Sequence, residues 1–164
     1  MKTAQLAVTA LGLHQGPVHA EMRVNGDGVW MLEVAPRPIG GLCAKALVFE
    51  DGAPLEELIV RHALGEDVSG IRRRAGASGV MMIPVTRGGI YQGVRRIRRA
   101  EEFANEVIIT AKEGQRVLPL PEGNTYLGFL FAQGETALGV EERLRRAYQS
   151  LEFEIAETLP VVSR

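Results

Sequence analysis

Glu21 and Glu33 lie twelve positions apart. Among the residues of this sequence, their type and spacing best suit the binding of a ligand. They flank a turn-forming segment, Gly26-Asp27-Gly28, between two runs rich in apolar residues, and this pattern predicts a β-hairpin. With a three-residue loop, Glu21 lies directly opposite Glu33, and opposed residues of an antiparallel pair share one face. Opposed carboxylates repel each other and need compensation by positive charge. The spacing therefore predicts a divalent-metal site on the hairpin.

The same register predicts the remaining pairs of the hairpin. Arg23 opposes Met31 on the carboxylate face, and three apolar pairs lie on the other face. These pairs are Val24 with Trp30, Met22 with Leu32 and Ala20 with Val34. A two-residue loop would shift the register by one and bring Glu33 among apolar partners, so the three-residue loop is preferred. The alternative to a metal site is that both glutamates simply lie on a solvated sheet face, where acidic residues are common.

Residues after the hairpin are suited to anionic ligands. Carboxylate oxygens suit magnesium or manganese, and magnesium commonly combines one or two carboxylates with substrate phosphates and water. Arg37, four residues after Glu33, is suited to the same phosphates. Gly40 and Gly41 precede a helix predicted through 42–47, whose free N–H groups would donate hydrogen bonds to a phosphate or carboxylate. The two glycines would let that anion approach the backbone closely. Tight packing of the turn is the alternative explanation for the two glycines.

The run 12–47 resembles the last third of an ATP-grasp domain, and within that superfamily it is most similar to the L-amino-acid ligase branch of the carboxylate-amine ligases. The resemblance rests on two motifs, Gly16-Pro17-Val18-His19-Ala20-Glu21 and Leu32-Glu33-Val34-Ala35-Pro36-Arg37-Pro38-Ile39-Gly40-Gly41-Leu42. It implies that Glu21 and Glu33 hold the magnesium ions that bridge the ATP phosphates, and that Arg37 contacts phosphate or an acyl-phosphate intermediate. The broader superfamily usually has an Asn metal ligand where this chain has Ala35. This departure resembles the amino-acid ligase branch and leaves the number of metal ions open.

The composition changes between residues 66 and 78 to Gly, Ser and Arg, which predicts a linker at 69–78 between domains at 1–68 and 79–164. The first domain is expected to contain helices over 3–12 and 54–64 around the hairpin. The second is expected to be a small sheet domain of the α+β class. Its predicted strands are 80–85, 89–94, 107–111, 126–131 and 151–155, and its predicted helices are 98–103 and 135–150. The runs 126–136 and 140–147 resemble the small C-terminal domain that follows the ATP-grasp core in amino-acid ligases and, more distantly, in biotin carboxylases.

Composition argues against several other classes of protein. The net charge is −1, so no global field favours nucleic acid, and the arginine clusters 72–74 and 95–99 have no interleaved aromatic residues. The single cysteine, Cys43, excludes an intrachain disulfide framework and a multi-cysteine zinc site. No apolar run is long enough to span a bilayer, and no signal-peptide pattern opens the chain. We therefore expect a cytoplasmic protein that binds neither nucleic acid nor membranes.

The resemblance implies the C-terminal portion of an ATP- and magnesium-dependent carboxylate-amine ligase that acts through an acyl phosphate. Its partners would be ATP and a small carboxylate and amine, with Mg²⁺ or Mn²⁺ as the metal. Such enzymes normally build the nucleotide site with lysines and a Gly-rich lid from sequence upstream of this hairpin, so the chain is expected to be a fragment that is inactive alone. The alternative is a noncatalytic remnant or assembly module that keeps the fold and forms homo-oligomers through exposed apolar surface.

Overall fold

The structure, a computed structural model, describes residues 2–157. The chain divides after Arg74 into two compact units, here called unit 1 (residues 1–74) and unit 2 (residues 75–164). Both combine helices with antiparallel sheets, which confirms the predicted α+β class. The domain limits derived from the sequence remain a prediction. Among the described residues, no helix has the length and apolar character needed to cross a bilayer.

Unit 1 is built around the hairpin. Its elements are α1 (Lys2–Ala10), β1 (His19–Asn25), β2 (Gly28–Ala35), a 3-10 helix (Cys43–Ala46) and α2 (Leu55–Ala63). The first helix packs against β2. Pro54 occupies the N-cap of α2, just before the first turn, where the missing proline N–H costs nothing because that donor would have no helical partner. The predicted helix over 42–47 is wrong, because the structure has a 3-10 helix of only four residues there.

The hairpin pairs β1 with β2 through a two-residue loop, so the predicted three-residue loop is wrong. Asn25 pairs with Gly28, and the Asn25 Oδ1 atom accepts hydrogen bonds from the backbone N–H groups of Asp27 (3.0 Å) and Gly28 (3.1 Å). These contacts favour the short loop, because an Asn side chain readily bonds the backbone two residues on. The predicted pairs of Met22, Val24 and Arg23 are wrong by one residue as a consequence. Their actual partners are Met31, Val29 and Trp30.

A β-bulge at Leu32 restores the predicted register at the carboxylates. The pairing steps from Met22 with Met31 to Glu21 with Glu33, which leaves Leu32 as the extra residue of β2. The opposition of Glu21 and Glu33 is thus confirmed, although the extra residue lies in the strand instead of the loop. Exposure agrees with this register: Met22 and Met31 are half-buried, whereas Leu32 is exposed. The bulge therefore gives the hairpin one half-buried face and one exposed face that carries both glutamates.

The described part of unit 2, residues 75–157, contains two three-stranded antiparallel sheets. Its elements are β3 (Ala77–Ile83), β4 (Gly89–Arg95), α3 (Ile97–Glu101), β5 (Glu106–Ile109), β6 (Arg116–Val117), β7 (Gly128–Gly134), α4 (Ala137–Ser150) and β8 (Glu152–Ala156). One sheet has the order β3-β7-β5 and the other the order β6-β4-β8. The predicted strands and helices are all present, with shifted ends. Strand β6 was not predicted, because two residues are too short to show a strand period.

The core of the described chain lies in unit 2. Leu130 in β7 and Ala147 in α4 are fully buried, and Val140 and Leu144 present the apolar side of α4 to the same cluster. The helix approaches β3 closely at Gly79, where a Cβ atom would lie 2.9 Å from Val140 Cγ1. This contact requires glycine, because a side chain would force the helix off the sheet.

Unit 1 buries much less. Its buried hydrophobic residues in the described chain are the small Ala44 and Ala53 and a single larger one, Leu58. Several large apolar side chains are instead exposed, including Trp30 at 55% and Leu32 at 64%. A unit of this kind obtains little stabilisation from its own hydrophobic burial.

Candidate metal and phosphate site

Glu21 and Glu33 form the centre of the candidate site. They oppose each other across β1 and β2, and each side chain is 53% exposed. Directly opposed residues have Cβ atoms roughly 5 Å apart, so two negative charges are held close together on a solvent-facing surface. The pleat keeps the carboxylates on the face opposite to Met22 and Met31. Both groups are therefore available to a cation from solvent.

Two basic side chains lie beside the carboxylates. The Nε2 atom of His19 is hydrogen-bonded to Glu21 Oε1 at 3.0 Å, and the His19 side chain is 19% exposed. Arg37 Nη2 lies 3.7 Å from Glu33 Oε1. Exposed ion pairs of this kind contribute little, about 0 to 1 kcal/mol, so they leave the carboxylates free to rearrange around a ligand. His19 was not predicted to belong to the site, although its position two residues before Glu21 in a strand places it on the same face.

Arg37 and the two glycines lie together after β2. The guanidinium donates one N–H to the carbonyl of Pro38 at 3.1 Å, and a Cβ atom added to Gly40 would lie 4.0 Å from Arg37 Nη1. Gly41 adopts the left-handed region with φ of 63°, which leads the chain into the 3-10 helix. Because that helix has only four residues, the expected helix N-terminal anion site is not formed. Arg37 is the residue that remains suited to a phosphate.

The donor set fits a hard cation that is completed by other ligands. In residues 2–157, no group of three or more His, Cys, Asp and Glu side chains is arranged to hold a metal. Two carboxylates nevertheless match magnesium, which commonly takes one or two protein carboxylates and fills its octahedron with water and substrate phosphates. Glu21 and Glu33 would hold the ion, and Arg37, which contacts Glu33, would be available to substrate phosphates.

A second group of polar residues lies elsewhere in unit 1. A cavity of about 420 Å³ is lined by Gln15, His62 and residues 65–69. Hydrogen bonds from the hydroxyl and backbone N–H of Ser69 lower the pKa of Asp67. His62 is half-buried in this wall, as the helical spacing of α2 indicated. None of these residues lies in the hairpin that carries the carboxylates.

Two family models match the chain. The ATP-grasp domain matches residues 1–46, which contain the hairpin and Arg37. The second C-terminal domain of L-amino acid ligases matches residues 81–156, which form nearly all of the described part of unit 2. The sequence resemblance in both regions is thus confirmed.

Comparison with whole proteins also shows similarity to such enzymes. The formate-dependent phosphoribosylglycinamide formyltransferase of Methylococcus capsulatus is 34% identical over 145 residues, which are 88% of this chain and 33% of that protein. The crystal structure of an L-amino acid ligase from Bacillus licheniformis superposes with a TM-score of 0.75 at 25% identity, covering 96% of this chain and 42% of the ligase.

Two more solved structures share the fold at 16% identity. They are phosphoribosylglycinamide synthetase from Anaerococcus prevotii, with a TM-score of 0.75, and N5-carboxyaminoimidazole ribonucleotide synthetase from Thermotoga maritima, with a TM-score of 0.70. Each match covers 94% of this chain and 41% of the other protein.

The chain is similar to ATP-grasp ligases, with an ATP-grasp domain match in residues 1–46 and a ligase C-terminal domain match in residues 81–156. It is similar to L-amino acid ligases in both matched regions. It spans about a third of the length of the curated relative and about two fifths of the length of the solved relatives.

Proposed function

We propose that residues 19–41 supply the metal- and phosphate-binding edge of an ATP-dependent carboxylate-amine ligase. The observation that carries this proposal is the opposition of Glu21 and Glu33 on the exposed face of the hairpin, with Arg37 at 3.7 Å from Glu33. Two opposed, exposed carboxylates suit a magnesium ion, and the neighbouring guanidinium suits a phosphate.

Each residue has a distinct part in this site. Glu21 and Glu33 bind the metal ion, and His19 orients the Glu21 carboxylate through its 3.0 Å hydrogen bond. A metal held by the two glutamates would supply positive charge that stabilises substrate phosphates. Arg37 donates N–H groups to a phosphoryl oxygen and stabilises negative charge that develops there. Gly40 leaves the space beside the Arg37 guanidinium without a side chain, and we propose that Gly40 and Gly41 together let a ligand approach the backbone there.

The reaction we propose for the whole ligase has two steps. A substrate carboxylate oxygen attacks the terminal phosphorus of ATP, and ADP leaves, which gives an acyl phosphate. An amine then attacks the acyl carbon, and inorganic phosphate leaves as the new C–N bond forms. Because the chain spans 42% of the solved amino acid ligase, we propose that the 164 residues alone do not complete this reaction. Its partners would be Mg²⁺ or Mn²⁺, ATP and a small carboxylate and amine.

The second candidate function is a noncatalytic assembly module of the same fold. The sparse core of unit 1, with Trp30 and Leu32 exposed on the hairpin, favours it, because such surface suits contact with another protein or another copy. A module of this kind would self-associate and bind neither metal nor nucleotide. The expectations of a cytoplasmic location and of no nucleic-acid partner remain predictions from the sequence.

Calorimetric titration with Mg²⁺ and a nonhydrolysable ATP analogue tests the proposal. The parent chain is compared with Glu33→Gln, which removes one ligand charge, and with Asp27→Asn, which makes the same charge change at the exposed hairpin loop. We expect Glu33→Gln to weaken metal-dependent binding at least about tenfold, since charged hydrogen bonds and ligands of this kind contribute roughly 1.5 to 3 kcal/mol. Asp27→Asn should bind like the parent. Equal binding by Glu33→Gln would refute the site, and self-association without binding by the parent would favour the assembly module.

A further inference from the structure

A pocket between α3 and α4, lying wholly in unit 2, is rich in guanidinium groups. Its volume is about 290 Å³. The lining residues are Arg96, Arg99, Phe103, Arg146, Gln149 and Ser150. Three arginines, an amide and a hydroxyl around one cavity give many hydrogen-bond donors and no carboxylate. The family models and relatives described above assign no role to this pocket.

The two helices bring the arginines together through small residues. Ala100 in α3 and Ala147 in α4 are both fully buried in the same core cluster, so the helices pack closely there. Arg99 and Arg146 each directly precede one of these alanines, which places both at the edge of the packed seam. Their backbones are hydrogen-bonded, Arg99 N–H to the carbonyl of Arg96 and the Arg146 carbonyl to the hydroxyl of Ser150. In the part of the chain that the structure describes, neither guanidinium group has an ion-pair or hydrogen-bond partner.

Two neighbouring arginines, Arg143 and Arg145, differ from Arg99 and Arg146 because their guanidinium groups have partners. Arg143, one turn before Arg146, donates to the carbonyls of Phe103 (2.8 Å) and Gln133 (3.0 Å), so it ties α4 to the rest of the unit. Arg145 binds the carboxylate of Glu141 on the outer side of α4. Arg143 and Arg145 therefore have structural partners, whereas Arg146 has its donors available.

Arg96 completes the pocket at a strained backbone position. It is the one non-glycine residue of the described chain with positive φ, at 64°, and its Nη2 atom lies 3.0 Å from Glu152 Oε1. A left-handed conformation is costly for a residue with a Cβ atom, and outliers of this kind concentrate at binding sites. Arg96 thus lines the pocket while its guanidinium group contacts Glu152.

We propose that the α3–α4 pocket binds the phosphate group of a small phosphorylated molecule, independently of the metal site on the hairpin. Arg99 and Arg146 would hold the phosphate oxygens, because guanidinium groups match phosphate geometry with paired donors. Arg96, already bound to Glu152, would add a third donor at the rim. A cavity of this volume admits a phosphate and a small attached group, and the Phe103 side chain offers an apolar contact for that group.

Titration of the full chain with pyrophosphate tests this inference. A chelator is included so that no metal-bridged complex can form at the hairpin. Binding to one site is expected, weakened at least about tenfold in Arg99→Gln and in Arg146→Gln, since each removes a charged hydrogen bond. Arg146→Lys, which keeps the charge but loses the paired donors, should lie between these variants and the parent. Circular dichroism should be unchanged, because Arg99 and Arg146 are both exposed.

A matched control separates the pocket from general electrostatic attraction. Arg98→Gln removes an exposed arginine next to Arg99 that does not line the pocket. This variant should bind pyrophosphate like the parent. The proposal is overturned if the parent does not bind, if Arg98→Gln weakens binding as much as Arg99→Gln, or if a single-stranded RNA binds through Arg99 and Arg146 while pyrophosphate does not.

Discussion

Deletion of Leu32 tests whether a bulge or the loop sets the register of the carboxylates. With the bulge, the shortened strand pairs regularly and Glu33 stays opposite Glu21. Leu32 is 64% exposed, so only about a third of its side chain is buried. Because full burial of a leucine contributes about 1.5 to 3 kcal/mol, the deletion should cost roughly 0.5 to 1 kcal/mol of burial, partly offset by a more regular ladder. We therefore expect the free energy of unfolding to change by less than about 1 kcal/mol.

The three-residue loop makes the opposite prediction for this deletion. In that register no bulge exists, so the deletion would bring Glu33 opposite Met22 on the half-buried face, at a cost of roughly 2 kcal/mol or more. The chain has a single tryptophan, Trp30, in β2, so its fluorescence during urea unfolding reports the hairpin directly. Deletion of both Met31 and Leu32 is the control. Starting from the bulge register, this double deletion brings Glu33 opposite Met22. Equal destabilisation by the single and double deletions would refute the bulge register.

Two further substitutions test unit 2. Thr136 caps α4 by accepting a hydrogen bond from the Gly139 N–H at 3.2 Å. Thr136→Ala should therefore lower the free energy of unfolding, measured by urea titration, by about 1 kcal/mol. Thr136→Ser keeps the hydroxyl group and should be about as stable as the parent. Burial, and then the nearby charge of Glu113, raise the pKa of Tyr91 above its ordinary value of 10.0. The folded state thus favours the neutral phenol of Tyr91. Its contribution to the free energy of unfolding is fully present below pH 10 and is lost as the pH rises from 10 through the raised pKa. Tyr91→Phe should flatten this alkaline loss in pH-dependent unfolding, and an unchanged slope would contradict the assignment.

Periodicity and turn residues were sufficient to predict most elements of this fold. Helix α4 was recognisable because Val140, Leu144 and Ala147 recur at helical spacing behind a Thr136 cap. Strand β6 was missed because Arg116 and Val117 pair with β4 through tertiary contact alone. Their local sequence carries no signal of this pairing.

The opposition of the two glutamates was predictable, whereas the register of the rest of the hairpin was not. The twelve-residue spacing of Glu21 and Glu33 correctly indicated opposition, but the odd residue could lie in the loop or in a bulge, and sequence alone does not distinguish these. The side chain of Asn25 decides between them by closing a two-residue loop. The α3–α4 pocket was not predictable, since it depends on two helices whose sequences are about 45 residues apart meeting at Ala100 and Ala147.

The pairing of β4 with β8 has a consequence for synthesis of the chain. Ile90 pairs with Ala156 and Arg95 with Glu152, so the inner strand of this sheet meets its partner only after some sixty intervening residues have been made. A ribosome that adds about 5 to 20 residues per second needs several seconds to produce them. During that interval one edge of β4 has no strand to pair with, and exposed edges of this kind are prone to aggregation. Unit 2 is therefore expected to close its second sheet late, once the segment 152–156 has left the ribosome.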